Sequence, residues 1–362
     1  MATQPFLNNP RAFMGYVGFV KIVGGTINGN GIDANSTITH DPYLIRATSA
    51  DINLTQEITK PDVVDSRYDR SVYQLGPKLV DGSMSFPVLY EVPASTVSDK
   101  TLFEIMYRYA VTRDPNGELS PFAMNVKYDA SGNADFKYVG CIVNNWKFSV
   151  AQSDVVTCDI DVIGIDREPA EIVTPPRKQL PNCVPGEADS TAAGSIGTSR
   201  IVTWNDARVE LSGGRITSAI GGQYIRTFEC NIANDAERFY SLNTVLAPQH
   251  IAPRKRDVTG SMTLIGRHPN LSDVALKNQD NCTETSNILF GYNTTDGGEG
   301  CSASTFNVTL PNVLYEIETL SLTNDIFEST INWHSLPSAG TGVCDPLLTV
   351  GDAVFTYPPS TV

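Results

Sequence analysis

The sequence predicts a mainly β protein with a few short helices, arranged as two tandem domains related by internal duplication. Three observations carry this. Apolar residues alternate with polar ones over most of the clearly patterned segments, the period of half-buried strands. The chain matches itself at four places in the same order. Its 362 residues suit about two domains, since single domains usually run to 100–200 residues.

The repeat sets the organisation. Val20–Ile27 matches Val209–Ile216. Ile45-Arg46 followed by Ile52 matches Ile225-Arg226 followed by Ile232. Gly82-Ser83-Met84 with Phe86 matches Gly260-Ser261-Met262 with Leu264. Asp154–Ile160 matches Asp325–Ile331. The offset between partners shrinks steadily from the first match to the last, which means shorter loops in the second copy. The copies cover 12–168 and 201–338. The stretch 169–200 is a connector, stiffened by Pro169, Pro175, Pro176, Pro181 and Pro185 and loosened by its Gly, Ser and Ala residues. Residues 1–11 and 339–362 are expected to be terminal arms.

Within each copy the strands follow from parity. Val156, Cys158, Ile160 and Val162 alternate with Thr157, Asp159 and Asp161. In the second copy, Phe327, Ser329, Ile331 and Trp333 alternate with Glu328, Thr330 and Asn332. A preceding strand over Tyr138 to Val150 shifts its apolar parity between Val143 and Trp146, which predicts a bulge. Gln152-Ser153-Asp154 is a tight turn, so these strands form a hairpin, with Leu314 to Phe327 as the counterpart. One helix is clear. Ser98 or Asp99 caps it, and Leu102, Ile105, Met106 and Tyr109 follow at helical spacing to about Val111. A helix this short needs a sheet to pack on. Shorter helical candidates lie near Leu271–Lys277 and Asp235–Leu242.

Asn53–Leu79 reads as a long polar loop carrying Lys60, Asp62, Asp65, Arg67, Asp69 and Arg70. Leu246–Arg256, ending in Arg254, Lys255 and Arg256, stands at the equivalent place. Loops of this length are either partner-ordered or loose surface chain. The basic triplet suits either phosphate or acids of a neighbouring subunit.

Charge and chemistry narrow the function. Lys and Arg total 26 against 40 Asp and Glu, a net charge of −14, so tight nucleic-acid binding through counterion release is not expected. The seven cysteines are odd in number and lack a CxxC pair. They read as mostly buried thiols, with one bridge open among Cys183, Cys282, Cys301 and Cys344. No secretory signal opens the chain, and no apolar run nears the ~20 residues a membrane helix needs. Synthesis and folding in a cytoplasm, with no membrane partner, follow as an expectation. His40, His250, His268 and His334 form no ligand spacing, and there is no P-loop or GxSxG elbow. Asp159 and Asp161 belong to a solvent-facing strand surface. Asp129, Ser131 and Asn133 open like a calcium loop, but Ala134 and Gly140 stand where it needs Gly and Glu. No enzyme, cofactor or metal site is expected.

A β-rich domain with one flanking helix, a long polar loop before a Gly-Ser-Met strand, a closing hairpin and terminal arms resembles the tail tube proteins of long-tailed bacteriophages. The resemblance rests on architecture and on Gly82-Ser83-Met84 and Gly260-Ser261-Met262. It implies β-sandwich or split-barrel domains that join six to a ring, with rings stacking into a hollow tube through which double-stranded DNA passes without sticking. It also implies a virion location, a tape measure protein inside, and terminator and distal tail or baseplate proteins at the ends. Lys60, Asp62, Asp65, Arg67, Asp69, Arg70, Arg254, Lys255 and Arg256 would then belong to inter-ring stacking loops. Family members mostly carry one domain per chain. With two, three chains would close a pseudo-hexameric ring. A tail terminator or baseplate ring protein, or a two-domain β-sandwich adhesin, remains the alternative.

Overall fold

The computed structural model describes residues 16–20, 27–28, 31–32, 43–45, 47–59, 74–90, 102–113, 116–127, 135–169, 200–213, 216–220, 224–241, 246–266, 286–294, 304–316, 319–323, 326–335, 347–350 and 353–355. The first half contains β1 (Tyr16–Val20), β2 (Ile27–Asn28), β3 (Gly31–Ile32), β4 (Tyr43–Ile45), β5 (Ser49–Thr59), β6 (Gln74–Pro87), β7 (Leu89–Tyr90), α1 (Leu102–Val111), β8 (Phe122–Lys127), β9 (Asp135–Ala151), β10 (Thr157–Gly164) and β11 (Asp166–Pro169). The second contains β12 (Arg200–Ile201), β13 (Ala207–Gly213), β14 (Ile216–Ile220), β15 (Ile225–Ala233), β16 (Glu237–Phe239), β17 (His250–Ala252), β18 (Asp257–Ile265), β19 (Ser286–Thr294), β20 (Ser304–Tyr315), β21 (Thr319–Thr323), β22 (Ile326–Ser335), β23 (Leu347–Val350) and β24 (Ala353–Phe355). The mainly β class with a minor helix is as the sequence predicts.

One antiparallel ribbon runs through the molecule in the order β5–β6–β10–β9–β15–β18–β22–β21. Its centre is the junction of the halves, where β9 pairs with β15 from Thr227↔Ala151 to Ala233↔Asn145. A second layer in the first half is β4–β1–β8–β9 with β11 on the other side of β9. Its counterpart in the second half is β14–β13–β19–β20–β23–β24.

β9 and β20 each serve both layers. β9 pairs with β8 through Asp135–Cys141 and with β10 through Ile142–Ser149. β20 pairs with β19, and then through Val313–Tyr315 with β22. At the switch, Gly140 has φ 63° and Asn312 has φ 56°. Left-handed backbone is cheap for Gly and tolerated by Asn, whose short polar side chain bonds locally. The predicted bulge falls on Asn144, which the register skips between Asp161↔Asn145 and Val162↔Val143.

The pairings repeat in register, with Cys230 standing where Ile52 does, two residues before the Ile232 of the sequence match. Ala50↔Met84, Ile52↔Gly82 and Leu54↔Val80 recur as Phe228↔Met262, Cys230↔Gly260 and Ile232↔Val258, with the same offset at every position. Met84↔Ile160 recurs as Met262↔Ile331. Both glycines are needed for space. A Cβ at Gly82 would lie 2.4 Å from the Asp51 carbonyl, and one at Gly260 would lie 2.1 Å from the Glu229 carbonyl and 2.2 Å from the Trp333 ring. Gly260→Ala is expected to cost roughly 2 kcal/mol in urea unfolding, because backbone and an indole must both shift. An unchanged midpoint would contradict that reading.

Helix α1 ends where the apolar spacing places it and lies on the core side of the junction. Phe103 sits between Trp146 (5.2 Å) and Phe148 (5.6 Å) of the first half and Tyr292 (6.0 Å) and Phe306 (4.7 Å) of the second. Phe228 stacks on Trp333 and meets Phe148. A single apolar core therefore extends through both halves.

Three expectations change. Asn53–Thr59 and Gln74–Leu79 belong to β5 and β6, because the hairpin continues through a register shift at Gln56/Ile58. The helical candidate near Asp235–Leu242 is instead β16, paired with β17 from Glu237↔Ala252 to Phe239↔His250. In the tail, β23 and β24 form a hairpin on β20 of their own chain. The helical candidate Leu271–Lys277, the possible calcium loop around Asp129–Asn133 and the connector residues 170–199 lie outside the described residues.

Candidate assembly surface

The ribbon has one apolar and one polar face. Met84, Phe86, Cys158, Ile160, Trp146, Phe148, Phe228, Cys230, Met262 and Ile331 are buried. The intervening residues point the other way, a consequence of the two-residue period. That face carries Ser83 and Ser85, Thr157, Asp159 and Asp161, Asn145, Lys147 and Ser149, Thr227, Glu229 and Asn231, then Ser261, Thr263, Thr330 and Asn332. Small polar side chains dominate, and the charge is acidic. Asp51, Asp159, Asp161, Glu229, Asp257 and Glu328 contribute acids. Lys147 lies 3.0 Å from Glu229, and Arg226 pairs with Glu328. Asp159 and Asp161 thus face outward, as their strand parity requires.

The ribbon has two open edges among the described residues. β5 pairs with β6 alone, and β21 with β22 alone. At the edge of β21, Leu320 lies opposite Ser329, on the core side, yet is 48% exposed. Its positional counterpart on β9 is Phe148, opposite Cys158, which is fully buried by the β15 side of the junction.

The internal junction shows how such an edge is completed. The chain between β15 and β18 leaves β15 and folds over the first half. The Asn234 backbone N–H donates to the Asn144 carbonyl (2.8 Å), and that of Ala236 donates to Asn144 Oδ1 (2.8 Å). Buried Asn234 donates through Nδ2 to the carbonyls of Ala110 (2.9 Å) and Val143 (3.1 Å). Ile251, with Ala236 and Ala247, packs on Leu119, Ile142, Ile163 and Ile165. Farther across, Arg238 pairs with Asp81 (2.6 Å), Tyr240 Oη donates to the Lys78 carbonyl (3.2 Å), and the Lys78 N–H donates to the Leu246 carbonyl (2.9 Å).

Of the basic triplet, Arg254 pairs with Glu237, and Arg256 donates to the Val111 carbonyl and to Asn234 Oδ1 (3.3 Å). Both therefore find partners within their own chain. Lys255 is exposed. Lys60, Asp62, Asp65, Arg67, Asp69 and Arg70 lie outside the described residues. His250 bonds Glu118 (3.1 Å) and His334 bonds Glu316 (2.9 Å). Sequence reasoning misses the junction network, of which the parity change at Val143–Trp146 is the visible trace.

Cys141, Cys158 and Cys230 are buried free thiols whose burial pushes their pKa values up. The loop cysteines Cys183, Cys282, Cys301 and Cys344 lie outside the described residues. Among the described residues no group of three or more His, Cys, Asp or Glu could hold a metal ion, and no helix is long and apolar enough to cross a membrane.

One buried acid is conspicuous. Burial pushes Glu104 up from 4.5 to about 7, although Arg108 Nη2 lies 2.9 Å from it on the next turn of α1. The folded state then holds a proton that the unfolded state releases above 4.5. Its stabilising effect is full at low pH and fades as pH rises towards 7. Glu104→Gln is expected to flatten this part of the stability profile between about pH 5 and 7, read as urea midpoints. An unchanged slope would remove Glu104 as its source.

Among the described residues this is the surface of a structural, edge-presenting β protein: one polar acidic face, an apolar core and two unfilled strand borders. The chain belongs to the phage tail tube protein family, whose model matches residues 23–313. It is thus a structural protein of the virion tail. No curated protein matches the chain.

Proposed function

We propose that the chain polymerises into closed rings that stack as the hollow tube of a phage tail, each ring being three chains joined head to tail. The observation that carries this is the β9–β15 junction. The two halves read as copies of one unit, supported by the repeated registers and by the left-handed residues Gly140 and Asn312 at matching bends. Within the chain, the β15 edge of one unit completes the β9 edge of the other. Among the described residues the matching edges, β5 and β21, are left open at opposite ends of the ribbon. Pairing β21 with β5 of the next chain repeats the internal junction and covers Leu320. A head-to-tail contact of this kind closes when its rotation divides the circle. Six equivalent units make three chains.

In such a ring the polar ribbon face lines the lumen and the apolar face fills the wall. The acids Asp51, Asp159, Asp161, Glu229, Asp257 and Glu328 then repel a passing DNA duplex near the wall, within the ~8 Å Debye length of physiological salt. Stacking uses the strand ends. Phe239, Tyr240 and Lys255 are exposed at one end, and Trp204, Ile265 and Phe327 at the other. The chain acts as a scaffold and catalyses nothing. It assembles in the host cytoplasm around a tape measure protein, with terminator and distal tail proteins capping the tube.

Negative-stain microscopy of the purified protein is the test. Hollow tubes with three-fold rings support the proposal. Rings that never stack point to a terminator or baseplate role, and compact monomers refute assembly altogether.

A further inference from the structure

We propose that β21 meets β5 of the next chain in one antiparallel register, with Leu320 directly opposite Ile52, Thr319 opposite Asn53 and Ser321 opposite Asp51. This rests on the reading of the chain as a ring-forming tube protein and assigns its ring contact residue by residue. Two internal matches set the register. On the first side, Cys230 of β15 opposes Gly260 as Ile52 of β5 opposes Gly82, so Cys230 stands where Ile52 does. On the second, Ile331 opposes Met262 as Ile160 opposes Met84. Two residues earlier, Ser329 of β22 therefore matches Cys158 of β10. Cys158 opposes Phe148 of β9, and Ser329 opposes Leu320 of β21. Across the internal junction Cys230 opposes Phe148. Carried to the two open edges, that pair becomes Ile52 and Leu320.

Burial shows that a strand is missing beside both edges. On β15, Thr227, Glu229, Asn231 and Ala233 are half-buried, whereas Ser49, Asp51, Asn53 and Thr55 at the same places on β5 are exposed. Phe228 and Ile232 are buried, whereas Ala50 and Leu54 are half-buried. Among these positions Ile52 alone is as buried as its counterpart. Buried Tyr138 donates through Oη to the Ile52 carbonyl (2.6 Å) and uses one of that oxygen's two lone pairs. On β21, Thr319 and Leu320 are exposed, whereas Lys147 is half-buried and Phe148 buried at the same places on β9. A deficit that runs along the strand on both of its faces is what the absence of a neighbouring strand leaves.

The occupant is a second copy of this chain, because the strand that fills the equivalent place at the internal junction, in the same ribbon, is the chain's own. Side-chain size separates the two junctions. The internal one sets large Phe148 against small Cys230, and the register sets Leu320 and Ile52, both of middle size, against each other. Exchanging partners would crowd Phe148 against Ile52 and leave a gap between Leu320 and Cys230, both of which destabilise a packed core. β5 is therefore matched to β21 of a neighbour and not to β9, and the ring alternates between two kinds of junction.

The test is the double variant Asn53→Cys/Thr319→Cys in the full chain, oxidised after assembly. Both positions are exposed, so folding and ring formation are expected to match wild type. Directly opposite residues on neighbouring strands bring their Cα atoms within disulfide range, and diagonal ones do not. Non-reducing electrophoresis is expected to show a covalent trimer, with the two introduced cysteines joined in one cross-linked peptide by mass spectrometry. Lys147→Cys/Asn231→Cys, directly opposite across the internal junction, sets the yield for this geometry. Thr55→Cys/Thr319→Cys, a diagonal pair in the proposed register, is expected to link roughly tenfold less. Rings that form without the Asn53→Cys/Thr319→Cys link, or that link as well through the diagonal pair, would overturn the register and leave the tube reading standing. Covalent dimers from Asn53→Cys alone, joined at that residue, would overturn it by pairing β5 with itself. A wild-type chain that forms no rings would overturn the tube reading, and the register with it.

Discussion

The Leu320→Lys chain is expected to fold normally and form no tubes. Leu320 sits on the open β21 edge with its side chain towards the core but half exposed. Only about half of it is covered in the single chain, so its stability is expected to fall by no more than about 1 kcal/mol. In the ring it would occupy the place that Phe148 fills at the internal junction, against the incoming strand of the next chain. A lysine there would have to bury its ammonium without a partner or keep the edges apart. Natural sheets use charged residues, lysine especially, to stop edge pairing. Sedimentation of Leu320→Lys should show a single small species, and microscopy should show neither rings nor tubes. Tubes of ordinary diameter from this variant would refute closure through β21.

Phe103→Ala is expected to destabilise the whole molecule by about 3–5 kcal/mol, the range for deleting a buried phenylalanine. The Phe103 ring touches four aromatic residues, two in each half: Trp146, Phe148, Tyr292 and Phe306. Removing it opens a cavity where α1 meets both β9 and the second-half layer. Since the core is continuous through the junction, urea should unfold both halves together in one transition. Fluorescence reports each side separately, Trp146 for the first half and Trp333 for the second, when the other two of the three indoles, Trp204 included, are replaced by Phe. A loss below about 1 kcal/mol, or two separated transitions, would mean the halves fold independently.

Much of the molecule is legible in the sequence because it follows from local periodicity. The alternations at Val156–Val162 and Phe327–Trp333 place β10 and β22, and the helical spacing from Leu102 to Tyr109 places α1. The bulge near Asn144 shows as a change of parity. Legibility ends where pattern is weak and partners decide. Asn53–Thr59 carries only Leu54 and Ile58 among polar residues, so its alternation is too sparse to mark it as strand. Its pairing with β6 does. Asp235–Leu242 has helix-compatible composition, yet the Arg238 contacts to Asp81 and to the Val80 carbonyl draw it out as a strand over the first half. Arg254 and Arg256 read as a basic cluster open to a neighbour, whereas their guanidinium groups are engaged by Glu237 and by the end of α1.

Residue order alone settles the β class, the clear helix and the outward acids. Each depends on residues near one another along the chain. The folded chain adds that the two halves share one ribbon and one core, that β9 is completed by β15, and that β5 and β21 are left open among the described residues. Strand partners lie far apart along the chain, and the backbone hydrogen bonds joining them are the same for almost every side chain. Which edge meets which is therefore set by the packing of the whole, and that choice is what gives β5 and β21 one strand neighbour each among the described residues.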